Sequence, residues 1–142
     1  MNLSDRPSTL SDEAEIDELA DRFFDLFTTT DNRTATIHDI KEMFLTHGTL
    51  INNTSGIPEV YDLDAFIRPR EELLSNGTLT DFREYEIAHH SEIHGNMALR
   101  VSSYEKSGLL NGEAFTGQGK KLMHFVKVQG RWYFASVVWS DI

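Results

Sequence analysis

Apolar residues in the first part of the chain recur at helical spacing. Ile16, Leu19, Ala20, Phe23 and Phe27 share one side, with Asp17, Glu18, Asp21 and Asp25 on the other. Ser11 stands where an N-cap belongs, and Asp12 and Glu13 follow where the helix dipole favours acids. The pattern predicts an amphipathic helix that ends between Thr28 and Asp31, its acidic run solvated. Ile37, Ile40, Met43 and Phe44 predict a second helix over 36–45, broken at His47-Gly48 and followed by a short strand, TLINN. The segment TSGIPEVYD reads as a loop. Leu63, Phe66, Ile67, Leu73 and Leu74 predict a third helix. Pro69 kinks or restarts it, and Asn76-Gly77 ends it.

After Gly77 the period changes to two. Strands are predicted over 82–94, 97–106, 113–128 and 131–139. Gly95-Asn96 and Gln129-Gly130 suit tight hairpins, and 107–112 reads as a longer loop. Helices first and strands afterwards predict an α+β fold, with N-terminal helices packed on one face of a curved antiparallel sheet. One domain over 11–142 follows a loose polar tail, residues 1–10, that carries Pro7.

The hairpins imply a register. With His94 opposite Met97, an unbroken ladder puts His89 opposite Ser102, Ile87 opposite Tyr104 and Glu86 opposite Glu105. With Val128 opposite Arg131, it puts Val126 opposite Tyr133, His124 opposite Ala135 and Leu122 opposite Val137, with Trp139 continuing on that face. Phe125, Trp132, Phe134, Met123 and Val138 fill the other face. A sheet apolar on both faces needs two coverings. The helices supply one, and a homodimer joined through the sheet face supplies the other.

The stretch YEIAHHSEIHG, residues 85–95, concentrates candidate chemistry. His90 and His94 have zinc spacing for a helix. On a strand, four residues span roughly 13 Å, too far for bonds near 2 Å to one metal. No metal is expected there. His89 with Tyr104 is a candidate proton donor–acceptor set, and His124 is either a hydrogen-bonded core histidine or a pocket acid–base group. Glu86 opposite Glu105 would repel unless the face is wet, Lys120 or Lys121 intervenes, or the pair shares a proton. Tyr61 and Trp139 are candidates for a pocket mouth.

Composition narrows this picture. Charged residues make up 25% of the 142 residues, and the formal net charge is −10. Such a chain repels phosphate backbones, and Lys120-Lys121 with Arg68 and Arg70 make no basic stripe, so no nucleic-acid partner is expected. The absence of cysteine excludes disulfides, thiolate metal sites and a cysteine nucleophile. No apolar run reaches membrane length and the N-terminus has no signal pattern, so a cytoplasmic protein without a membrane partner is expected. The glycines of GQGKK lie in a predicted strand and are not a phosphate loop.

The order of elements resembles the nuclear transport factor 2-like superfamily, a cone formed by a bent sheet around helices. FREYEIAHHSEIHGNMALRVSSYE and GQGKKLMHFVKVQGRWYFASVVWSD carry the resemblance, and the closing VVWSD is similar to the last strand of SnoaL-like members. The pattern E-x-E-I, G-N-x-A, S-x-Y-E resembles a bacterial subgroup without an assigned reaction. The resemblance implies a pocket between helices and sheet, a dimer and no cofactor. It leaves two functions open. One is binding of a small apolar or carbonyl-containing molecule, extended in isomerase-, dehydratase- or cyclase-like members to proton transfer. The other is a non-catalytic dimerisation or protein-interaction module. His47 stands where many relatives carry an acid, so the site bets remain His89, Tyr104 and His124 for proton transfer. Tyr61, Trp139, Glu86 and Glu105 remain as ligand contacts.

Overall fold

A computed structural model describes residues 10–142. The tail expected over residues 1–10 therefore lies, apart from Leu10, outside the described residues. Helix α1 spans Asp12–Asp25, and the Ser11 side chain caps it by accepting from the Ala14 amide at 3.2 Å. Its apolar side, Ile16, Leu19, Ala20, Phe23 and Phe24, is buried. The polar side is less solvated than the charge pattern predicts. Asp12 accepts from Lys127 at 2.9 Å and from the Trp132 indole at 3.0 Å. Asp17 accepts from Arg100 at 2.6 Å.

The predicted second helix is shorter than its pattern. A 3-10 turn, Ile37–Asp39, leads into α2, Ile40–Met43, and strand β1 already begins at Phe44. β1 covers Phe44–Asn52 and takes in His47-Gly48. The predicted loop contains a short strand, β2, Glu59–Tyr61, paired antiparallel to β1. α3 runs unbroken as Leu63–Ser75 with Pro69 inside it, and the Asp62 side chain caps it through the Ala65 amide at 2.8 Å. β3 spans Leu79–His94, β4 Met97–Leu110, β5 Glu113–Val128 and β6 Arg131–Asp141. The expected loop at 107–112 is mostly β4, which turns to β5 through Asn111-Gly112.

The six strands form one curved sheet in the order β2-β1-β6-β5-β4-β3. β1 runs parallel to β6, so the sheet is mixed rather than wholly antiparallel. That pairing closes a long crossover through α3 and the β3–β5 meander, as a parallel pair requires. α1 packs on β3 and β6, and α3 on β1 and β3. The core between them is aromatic: Phe44 stacks on Phe134 at 4.8 Å, with Phe23 and Phe125 against the same ring.

Two β-bulges decide which charged side chains of β3 and β6 enter the cone. Near the β3–β4 turn the register is the expected one, with His94 opposite Met97 and His89 opposite Ser102. A bulge at Ile87 then shifts the ladder, so that Glu86 faces Tyr104 and Tyr85 faces Glu105. The expected opposition of Glu86 and Glu105 does not occur. A bulge inserts one unpaired residue, and every later side chain changes face. The same happens on β6 at Ala135, where His124 faces Ser136, Met123 faces Val137 and Lys121 faces Trp139. Trp132 and Phe134 point inward before that bulge, and Val137 and Trp139 after it.

Candidate functional site

An open cavity of about 420 Å³ lies between the helices and the concave face of the sheet. Phe23, Phe27, Leu79, Phe82 and Phe115 give it apolar walls. Five charged side chains line it as well: Arg70, Glu84, Lys106, Lys121 and Asp141. Each has a specific placement. The Ile87 bulge turns Glu84 inward, where it pairs with the buried Lys121 at 2.7 Å. The Lys121 ammonium also lies 4.2 Å from the Tyr104 ring centroid, a cation–π contact on a face shielded from water. The Ala135 bulge turns Asp141 inward.

Asp141 is the hub of the inner end. The fully buried Tyr104 donates its hydroxyl proton to Asp141 Oδ1, and Lys106 Nζ lies 3.1 Å from Oδ2. Both donors start on β4 and reach an acceptor on β6, so each must cross the intervening β5. The residues they cross are Gly119, opposite Tyr104, and Gly117, opposite Lys106. A Cβ at Gly119 would lie 2.3 Å from the Tyr104 oxygen, and one at Gly117 2.9 Å from Lys106 Cε. The GQG sequence is therefore a gap in the inner face of β5 through which two side chains pass. A glycine inside a strand marks such a close approach.

The electrostatics follow from this packing. Burial raises the Tyr104 phenol well above its ordinary value, and the bond to Asp141 raises it further. Burial would raise the Asp141 carboxyl too, but the bonds from Tyr104 and Lys106, with the Lys106 and Lys121 charges, outweigh it and hold it low. At neutral pH the pair is a protonated phenol donating to a carboxylate, with neither group poised to exchange a proton.

The outer part of the cavity is aromatic and cationic. Tyr61 and Trp139 stack nearly parallel at 6.5 Å, and Phe66 meets both edge-on. The Arg70 guanidinium sits 3.9 Å over Phe66, 5.0 Å from Tyr61 and 5.7 Å from Trp139.

No protein-family model matches the chain, and no curated protein matches it in sequence. Solved structures do match. A protein from Kribbella flavida shares 18% identity over 92% of this chain and 90% of its own, with a TM-score of 0.73. A nuclear transport factor 2-like protein of unknown function from Prochlorococcus shares 18% identity over 93% and 94%, with a TM-score of 0.72. A protein from Xanthomonas campestris, described as a putative calcium/calmodulin-dependent protein kinase II association domain, shares 14% over 100% and 97%, with a TM-score of 0.70. The chain has the nuclear transport factor 2-like fold. At these identities the likeness is one of fold, and the chemistry of the cone rests on its own residues.

Within this nuclear transport factor 2-like cone the sequence-selected residues separate. Tyr61 and Trp139 line the cavity, and Tyr104 lies behind it through Asp141. His124 points to the outer face, exposed, with Nδ1 3.4 Å from Ser136 Oγ. His89 lies beside α1, 3.2 Å from Glu86 and 3.9 Å from Asp17, outside the cavity lining. Glu86 is engaged by Arg100, and Glu105 accepts from Tyr85 at 2.7 Å on the outer face. Neither lysine considered between Glu86 and Glu105 sits there: Lys121 pairs with Glu84, and Lys120 donates to Ser103 at 3.2 Å. His90 and His94 bracket Glu92, at 3.5 and 3.3 Å. Arg70, Lys106, Lys121, Glu84 and Asp141 were not selected from the sequence. The signal that could have found two of them, Lys106 and Asp141, is the pair of glycines inside a strand beside VVWSD.

Proposed function

We propose that this protein binds a small, largely apolar molecule carrying a polar group in the cone between helices and sheet. The observation that carries the reading is the cavity itself. At about 420 Å³ it falls within the roughly 300–1,000 Å³ of small-molecule sites, with apolar walls and a few convergent polar groups. Binding fits better than proton transfer. His89 and His124 lie off the cavity, and Tyr104 and Asp141 are held away from neutrality in opposite directions. A thermal-shift screen against apolar carbonyl compounds, polyketides and steroids tests the reading. A ligand at about a hundred times its Kd stabilises the native state by about 2.7 kcal/mol. Dose-dependent shifts are expected in the wild type and not in Leu79→Trp, which fills the cavity. A screen with no shift, or shifts that persist in a folded Leu79→Trp protein, would remove this reading and bring forward the interaction module.

The outer sheet face supports a second element of the reading, a homodimer. Ile87, Met97 and Leu122 are 52%, 61% and 49% exposed there, and Leu99, Val101, Val126, Tyr133 and Val138 lie half-buried around them. An apolar patch of this kind on the long central strands suits a second copy of the same face. The description of the Xanthomonas campestris protein, and of an Exiguobacterium sibiricum one, as putative association domains agrees with this. Light scattering should give a dimer for the wild type and a folded monomer for Leu122→Asp. A monomeric wild type at micromolar concentration would refute it.

A further inference from the structure

The charges of the cavity do not balance. Glu84 is paired with Lys121, and Asp141 with Lys106. Arg70 remains, and among the described residues no carboxylate oxygen lies within ion-pairing distance of it. Glu84 and Glu59 are close enough to be felt but not to bond. The cavity lining therefore carries three cations against two carboxylates, inside a chain whose formal charge is −10. Burial penalises this guanidinium's charge, with the Tyr61 hydroxyl as its largest compensation. A half-buried cation left without an anion carries part of that cost, and arginine does not escape by losing its proton.

The geometry of the guanidinium matters as much as its charge. Its plane carries five N–H donors, and one of them goes to the Phe66 carbonyl at 3.3 Å. The guanidinium carbon lies over the Phe66 ring, 3.9 Å from its centroid. Stacking on an aromatic face leaves in-plane donors available, and a carboxylate accepts two such donors side by side. From this we infer that the cavity is a site for small organic monocarboxylates, with the carboxylate on the edge of Arg70 and the apolar body against Phe27, Leu79, Phe82 and Phe115. The inference rests on the binding reading above and names its ligand class. Neutral ligands of the same shape would leave the cation unpaired. Organic cations would be repelled by it.

Calorimetric titration at neutral pH with hexanoate, phenylacetate and decanoate, each beside its primary amide, tests the inference. The wild type is expected to bind at least one acid about tenfold or more tighter than its amide, since a charge-assisted pair outweighs a neutral one by that order. Arg70→Met keeps the apolar stem and should lose the preference while retaining amide binding. Arg70→Lys should retain part of it, the charge surviving without the fork. Equal binding of acids and amides by the wild type overturns the anion assignment and leaves the cavity reading standing. An undiminished acid preference in Arg70→Met overturns the role of Arg70. Binding of no acid and no amide overturns this inference, while the wider screen with the Leu79→Trp control still decides the cavity reading.

Discussion

Gly119→Ala is expected to destabilise the protein by roughly 2.5–6 kcal/mol, although it adds a single methyl group. The sum has two parts: overpacking costs about 1–3 kcal/mol, and losing a hydrogen bond to a charged acceptor about 1.5–3 kcal/mol. The new Cβ would lie 2.3 Å from the Tyr104 oxygen and 2.4 Å from the Ser140 carbonyl oxygen. The first contact belongs to a ring packed on Lys121, and the second is backbone of the neighbouring strand, so neither can yield cheaply. Gly117→Ala is the matched control. Its clash is with the flexible Lys106 stem, so a clearly smaller loss is expected. Urea denaturation measures both. Equal, small losses would show that Tyr104 does not depend on the gap at Gly119.

The same substitution should change the pH dependence in a specified sense. The Tyr104 phenol is raised in the folded protein, so its contribution is fully present below its ordinary value near 10 and is lost as pH rises through the higher folded value. The Asp141 carboxyl is lowered, so its contribution is present above its ordinary value near 4 and is lost as pH falls through the lower folded value. Gly119→Ala separates the pair and should weaken both arms. Ultraviolet titration gives the direct readout. Of the four tyrosines, Tyr104 should be the last to ionise in the wild type and should move toward the ordinary value in the variant. An unmoved Tyr104 would mean that Asp141 is not its partner in solution.

Element types were readable in the chain because each long element has one clear period. α1, α3 and the four long strands follow patterns of 3.6 or 2. β5, expected over 113–128, spans Glu113–Val128. Failures came where an element is short or a period breaks. Ile40 and Met43 suit a helix face, and so does Phe44, yet Phe44 opens a strand to stack on Phe134. The site was legible only where no bulge intervened. An alternating strand fixes faces from its turn outward, and the Ile87 and Ala135 bulges each invert what lies beyond. Those inversions brought Glu84, Trp139 and Asp141 inward and parted Trp139 from His124, which the regular alternation of β5 places outside. Nothing in the residue types at Ile87 or Ala135 announces an extra residue. The glycines at 117 and 119 did carry information, but of room for crossing side chains rather than of phosphate.

Arg100→Met is expected to cost about 3–5 kcal/mol, the range for removing one member of a buried ion pair. This arginine is 1% exposed and bridges three elements. Nε and one terminal nitrogen hold Glu86 at 3.0 and 2.5 Å, and the other reaches Asp17 at 2.6 Å and Ser91 at 3.2 Å. Without it the Glu86 carboxylate, itself 10% exposed, stays in the cone with His89 as its remaining close partner, at 3.2 Å. The loss is a large share of the 5–15 kcal/mol that holds such a domain together. Adding Glu86→Gln to Arg100→Met should recover part of it, because replacing both members of a buried pair is far less costly than stranding one. A single variant within about 1 kcal/mol of wild type by urea denaturation would show that the bridge is screened like a surface pair. The network also assigns His89. It touches Glu86 and Asp17, not the cavity, so His89→Gln should shift stability modestly and leave carboxylate affinity unchanged. An effect on affinity as large as that of Arg70→Met would instead return His89 to the binding site and undo the division between the cavity and the clamp that ties α1 to the sheet.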